Sequence, residues 1–148
     1  MTNEEFEYLM TLPKHVNEDS LNLPEDRNLG KPITILSDTT KHVFVIDSDR
    51  RSSISISKMK LQERYMNIPE LMVRLEIDCK PHINPDRTKL SRNHIHIYTE
   101  KYGMSLAYDL DGFNDLLFKD TTNFINLFND FCKFCNIKLD GINVQGVL

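Results

Sequence analysis

Long hydrophobic runs are missing from this sequence of 148 residues. No stretch approaches the roughly 18 consecutive apolar residues of a membrane-spanning helix, so we expect no membrane span and no membrane partner. The acidic start MTNEEFEYLM also lacks the basic and apolar segments of a secretory signal. These absences favour a cytoplasmic protein.

Cysteine is scarce, and its spacing fits no disulfide framework. The three cysteines are Cys79, Cys132 and Cys135, an odd number that indicates free thiols in a reducing compartment. HINP at 82–85 and CKFCN at 132–136 resemble parts of an HNH nuclease, but a second cysteine pair for a zinc knuckle is missing. We therefore interpret Cys132 and Cys135 as small core residues on an apolar helical stripe.

A strong excess of one charge is also absent, since the net charge is −4. The distribution is nevertheless uneven: 11 Lys or Arg face 7 Asp or Glu between Asp49 and Lys101. Such a basic segment favours an anionic partner such as RNA, while the acidic remainder favours a surface that mimics phosphate toward a protein partner. Alternatively, the uneven distribution of charge is ordinary variation of a solvent-exposed surface and indicates no partner.

The composition, with 40% hydrophobic and 27% charged residues, is typical of one globular domain over 1–148. Thr2 and Glu5 form a capping box, which predicts an N-terminal helix up to about Leu12. The stripe of TTNFINLFNDFCKFC predicts a C-terminal helix, with Thr121 and Thr122 as candidate N-caps.

Several short segments have strand character. Polar turns separate ITIL at 33–36, HVFVID at 42–47 and SISIS at 53–57, which predicts an antiparallel meander. LMVRLEID at 71–78 alternates, and HIHIYTE and MSLAYDL read as a hairpin joined by KYG. The segment 14–32 predicts a long loop, and KMKLQERYMNIPE predicts a short helix or a crossover. Together these elements predict an α+β fold, with a bent antiparallel sheet of about six strands and both helices packed on it.

Three of the five histidines lie between residues 82 and 96. On a strand, residues two apart share a face, so His94, His96, Tyr98 and Glu100 form one line. If the strand 71–78 pairs with this one, Arg74, Glu76 and Asp78 face the same region, and His82 follows just after that strand.

The leading hypothesis from these residues is a metal-independent endoribonuclease of toxin type, which needs no cofactor. His82, His94 and His96 supply the general base and general acid, because imidazole titrates near neutral pH, and Tyr98 positions the phosphate. The cations that stabilise the phosphate are Arg74, Arg92 and Lys60. Partners on this hypothesis are RNA and a protein such as an antitoxin.

Three alternatives stay open. A metal-dependent hydrolase uses His82, His94 and His96, with Glu100 or Asp86, to bind zinc, iron or manganese. A non-enzymatic phage or mobile-element protein binds and inhibits a host defence or nucleic-acid enzyme through its acidic surface. In the third alternative, the polar side chains of the histidine strand are structural: main-chain atoms satisfy their hydrogen bonds, and they have no chemical role.

A wider set of residues resembles an uncharacterised family of small bacterial and prophage proteins. The resemblance spans nearly the whole chain and lies in RLEID at 74–78, HINPD at 82–86, HIHIYTEKYG at 94–103 and FCKFCN at 131–136. Arg87 stands where the family pattern has glycine, and Leu106 where it has an aromatic residue. The resemblance implies that the polar residues of these segments form a single site. It therefore adds Glu100 to the candidate catalytic residues and Asn84 and Asp86 to the candidate substrate-binding residues.

Overall fold

The computed structural model describes residues 1–52 and 57–146. These residues form two helices and ten strands, so the predicted α+β fold is confirmed. In chain order the elements are α1 (Asn3–Thr11), β1 (Lys14–Val16), β2 (Ser20–Asn22), β3 (Ile33–Ser37), β4 (Val43–Asp49), β5 (Met59–Tyr65), β6 (Glu70–Ile77), β7 (His94–Ile97), β8 (Ala107–Asp109), α2 (Phe124–Phe134), β9 (Ile137–Lys138) and β10 (Asn143–Gln145).

The main sheet has eight strands, where about six were predicted. Its order is β8-β7-β6-β5-β4-β3-β1-β9, and every neighbouring pair is antiparallel except β1 with β9. Strands β2 and β10 form a separate parallel pair. The predicted hairpin of β7 and β8 is confirmed, and the bridge between Thr99 and Gly103 closes it.

Both predicted helices are present. The capping box of Thr2 and Glu5 begins α1, as the sequence predicted. Helix α2 begins one residue later than predicted, because the side chain of Asn123, and not Thr121 or Thr122, accepts the hydrogen bond from the Asn126 amide. The apolar side of α2 is buried in one hydrophobic core with residues of α1 and of the sheet.

Two predictions were wrong. Residues 14–32 contain β1 and β2, which are three-residue strands too short to show a period. The segment KMKLQERYMNIPE contains strand β5 over Met59–Tyr65 and is neither helix nor crossover, and alternate residues of β5 are buried. The predicted strand SISIS at 53–57 lies almost wholly outside the described residues.

In the described part of the chain, neither helix is long and apolar enough to cross a membrane.

Candidate functional site

The pairing of β6 with β7 creates the site. His94 lies opposite Glu76, and His96 lies opposite Arg74. On the other side of β6, Lys60 of β5 is the partner of Glu76. Because cross-strand partners share a face of the sheet, these five side chains lie together. The predicted pairing of the two strands placed Arg74 and Glu76 beside His94 and His96, and the structure adds Lys60.

Glu76 is the centre of this cluster. Its Oε2 lies 2.8 Å from His94 Nε2 and 3.8 Å from His96 Nε2. Its Oε1 lies 3.0 Å from Arg74 Nε and 3.7 Å from Lys60 Nζ. One carboxylate oxygen therefore faces the two imidazoles, while the other faces two cations.

The charges around Glu76 keep it ionised. Burial alone raises the pKa of a carboxyl group, but the hydrogen bond from His94, together with the nearby His96 imidazole and the charge of Arg74, holds the pKa of Glu76 well below its usual range. The cluster thus contains a permanent carboxylate at neutral pH.

Main-chain carbonyl groups fix both imidazole rings. His94 Nδ1 donates to the Ser91 carbonyl oxygen at 2.9 Å, and His96 Nδ1 donates to the Met104 carbonyl oxygen at 2.8 Å. Both Nε2 atoms consequently point at Glu76. The two rings are buried, with exposed fractions of 0% and 2%.

His82 lies above the two buried rings. Its ring centroid is 4.6 Å from that of His96 and 5.8 Å from that of His94. Its Nε2 donates to the Ser105 carbonyl oxygen at 2.7 Å, and the ring is partly exposed. The three predicted histidines are therefore brought together, with His82 on the solvent side.

The loop that carries His82 is held by the other predicted residues of HINPD. The Asn84 side chain accepts from the Ala107 amide and donates to the Ala107 carbonyl oxygen, both at 2.9 Å. Asp86 is exposed and accepts from the Thr88 amide at 2.9 Å. Arg87 has a φ of 72°, which explains why glycine suits this position. Asn84 and Asp86 thus contact the main chain and not the cluster.

Tyr98 and Glu100 do not join the cluster. Strand β7 ends at Ile97, and both side chains reach the start of α1. The Tyr98 hydroxyl donates to the Met1 carbonyl oxygen at 2.5 Å, and Glu100 Oε2 accepts from the Asn3 amide at 3.2 Å. Their contacts fix the N-terminal helix.

A groove of about 460 Å³ opens beside Glu76. Four cationic side chains line it, together with two acidic ones and two others: Lys58, Lys60, Lys80, Arg92, Glu76, Asp78, Ser52 and Cys79. We call it the basic groove. The predicted cations Lys60 and Arg92 both belong to it, and Arg92 Nε also contacts Asp78 Oδ1 at 2.9 Å.

Glu76 is the residue that sequence reasoning left out of the site. Its alternation on β6 placed it on the histidine face, but the predicted site took its carboxylate from Glu100, in line with His94 and His96. Only the register of β6 against β7 distinguishes these two carboxylates.

The cluster has the donors of a metal site. One ligand atom each from Glu76, His94 and His96 lie within 4.8 Å of one another. Two imidazoles and one carboxylate are a ligand set for zinc and for non-haem iron.

The comparisons with known proteins give one match. No curated protein and no solved structure matches the chain. The model of a family of unknown function, DUF6978, matches residues 1–137, in agreement with the resemblance found in the sequence. The chain belongs to this family, whose function is unknown.

Proposed function

We propose that the protein binds one divalent transition-metal ion through Glu76 Oε2, His94 Nε2 and His96 Nε2, and hydrolyses a phosphate ester, with RNA as the first substrate class. The observation that carries this proposal is the convergence of these three atoms within 4.8 Å on two paired strands. Ligands on neighbouring strands are held by the sheet, which favours a defined geometry.

The surroundings of the three atoms support a metal site. Histidines that bind a metal usually donate their second ring N–H to a main-chain carbonyl or a carboxylate, and both His94 and His96 do so through Nδ1. The carboxylate is held in the same way, because Arg74 and Lys60 contact Glu76 Oε1 and leave Oε2 toward the imidazoles.

A bound zinc, iron or manganese ion supplies Lewis-acid chemistry, because it lowers the pKa of water and neutralises charge on a phosphoryl oxygen. In this proposal His82 moves the proton. Its Nε2 is committed to the Ser105 carbonyl oxygen, so its Nδ1 is the atom that accepts a proton from the attacking water and returns it to the leaving oxygen.

Charge favours an anionic substrate. Four cationic side chains line the basic groove, and one of them, Lys60, also contacts Glu76. Arg74 adds a further positive charge beside Glu76. Such a surface attracts phosphate and holds it next to the metal ligands.

Elemental analysis tests the metal site directly. We expect about one zinc, iron or manganese ion per chain in the parent protein, and loss of that ion in His96→Ala and Glu76→Gln. Arg74→Met is expected to weaken metal binding by about 10–100-fold, the usual effect of removing a group that orients a ligand.

His15→Ala is the matched control, because His15 lies on the exposed part of β1 outside the cluster. A parent protein that binds no metal when refolded with each ion, or a His96→Ala variant that binds as tightly as the parent, contradicts the metal site. If hydrolysis of RNA continues in the presence of chelators, the metal-dependent chemistry is contradicted, but the metal site is not.

Metal-independent RNA cleavage is the second candidate. The close approach of His82 to His96, with ring centroids 4.6 Å apart and His82 partly exposed, favours an acid–base pair. Chelators separate the two candidates, since they leave this activity intact and abolish the first. The toxin-type role, the antitoxin and the inhibitor of a defence enzyme stay predictions.

A further inference from the structure

The basic groove contains positively charged side chains that make no ion pair with the cluster. Arg92 contacts Asp78, and Lys60 contacts Glu76. Among the described residues, no carboxylate lies within 4 Å of the amine of Lys58 or of Lys80. Two ammonium groups in the groove are thus available to an anion from solution.

We propose that the basic groove is a phosphoryl-binding subsite in which Lys58 and Lys80 bind the phosphate group of the substrate. The inference rests on the proposed function for its biological meaning, since it names the part of the substrate that lies next to the metal ligands. Its physical content is independent, because phosphate binding by these lysines requires no metal ion.

The dimensions of the groove fit this ligand. A volume of about 460 Å³ lies within the range of small-molecule sites and exceeds the need of a single bound ion. The groove therefore has room for a phosphate group with its attached sugar.

The lining indicates what the groove recognises. None of its described lining residues is aromatic, so it offers no ring on which a base can stack. Ammonium and guanidinium groups contact phosphate without reading the base. We infer that binding depends on charge and is independent of base sequence.

Position connects the groove with the cluster. Glu76 and Lys60 line the groove and belong to the cluster as well. A phosphate group that contacts Lys60 therefore lies beside the ligand carboxylate. This arrangement places an ester bond next to the proposed metal ion.

Fluorescence anisotropy tests the subsite with EDTA-treated protein and a labelled single-stranded RNA of ten nucleotides. Unlabelled RNA, AMP and inorganic phosphate serve as competitors. We expect Lys58→Ala combined with Lys80→Ala to weaken RNA binding at least tenfold. The slope of log K against log salt should fall in magnitude by about 0.7, as for the loss of one phosphate contact on a single strand.

Lys41→Ala combined with Lys119→Ala is the matched control, because both lysines are exposed and lie outside the groove. Circular dichroism confirms that each variant is folded. Competition by RNA alone identifies a phosphodiester of RNA as the source of the phosphate. Equal competition by AMP identifies a small phosphomonoester, and both results support the subsite.

Three results overturn it: no binding of any of the three probes by the parent, equal loss of binding in the groove variant and in the control, or metal-dependent hydrolysis that is unaffected in the groove variant. These results are distinguishable from failure of the proposed function. If the parent binds RNA but binds no metal and hydrolyses nothing, the subsite stands and the proposed function fails. If the groove variant hydrolyses RNA with metal as well as the parent does, the proposed function stands and the subsite fails.

Discussion

Glu63 is the least expected residue of the core. It is fully buried on β5, and among the described residues neither of its carboxylate oxygens has a hydrogen-bond partner. Burial raises the pKa of Glu63 to about 7, although the charge of Lys14 opposes this rise. Lys14 is equally buried, and its Nζ donates to three main-chain carbonyl groups.

This raised pKa predicts a pH dependence of stability. Between pH 4.5, the ordinary pKa of the carboxyl group, and about pH 7, the folded protein retains a proton that the unfolded chain releases. The contribution of Glu63 to the free energy of unfolding therefore falls by about 3 kcal/mol as the pH rises through this window. We expect Glu63→Gln to abolish this fall, as measured by urea denaturation at pH 5 and pH 8.

Glu7→Gln is the control for this experiment, since Glu7 is exposed on α1. It should keep the pH dependence of the parent. A Glu63→Gln variant whose stability falls as steeply as that of the parent assigns the pH dependence to other groups.

Tyr98 gives a second prediction at this scale. We expect Tyr98→Phe to lower the free energy of unfolding by about 1 kcal/mol, because it removes the hydrogen bond to the Met1 carbonyl oxygen. Metal content and hydrolysis should equal those of the parent. A folded variant that has lost hydrolysis returns Tyr98 to the catalytic set.

The histidines show what a sequence reveals of a site. The spacing of His94 and His96 predicts a shared face because alternation on a strand is local. The role of Glu76 depends on register, and the departure of Tyr98 depends on where β7 ends, at Ile97. Contacts between segments that are distant in sequence determine both the role of Glu76 and the position of Tyr98. A local sequence pattern therefore cannot predict them.

At the scale of elements, strand β5 shows how one residue hides a pattern. Met59, Leu61 and Tyr65 are buried on the same face, and Glu63 occupies the core position between them. Alternation of apolar residues is the main sequence signal of a strand, and an acidic residue at an inward position removes it. Lys14 hides β1 in the same way, since it is buried in a strand of three residues.

The edge strand β8 depends on Asn84. The amide group of Asn84 bonds the Ala107 main chain as a neighbouring strand does. We expect Asn84→Ala to lower the free energy of unfolding by about 1–3 kcal/mol, because the buried main-chain groups of Ala107 lose their partners. Urea denaturation measures this loss, and amide hydrogen exchange at Ala107 should become faster.

Asn22→Ala is a suitable comparison, because Asn22 is exposed on β2. Its stability should remain within about 0.5 kcal/mol of the parent, as is usual for surface substitutions. Unchanged exchange at Ala107 in Asn84→Ala argues against this role of the Asn84 side chain.

At the scale of the whole molecule, we expect the proposed metal ion to contribute to stability. A ligand that binds only the folded state stabilises it by about 2.7 kcal/mol when present at 100 times its Kd. We therefore expect zinc to raise the melting temperature of the parent and of His15→Ala, but not of His96→Ala. Thermal unfolding followed by circular dichroism measures the shift, and an equal shift in His96→Ala places the zinc elsewhere.

The pairing of the last strands with the first ones determines when the protein can finish folding during its synthesis. Strand β9 pairs with β1, β10 pairs with β2, and Lys14 Nζ bonds the Cys135 carbonyl oxygen at 2.8 Å. A nascent chain that has left the ribosome only as far as β8 holds seven strands of the main sheet while α2, which covers their apolar face, is still in the exit tunnel or untranslated. Completion of the core consequently waits until α2, β9 and β10 have left the ribosome.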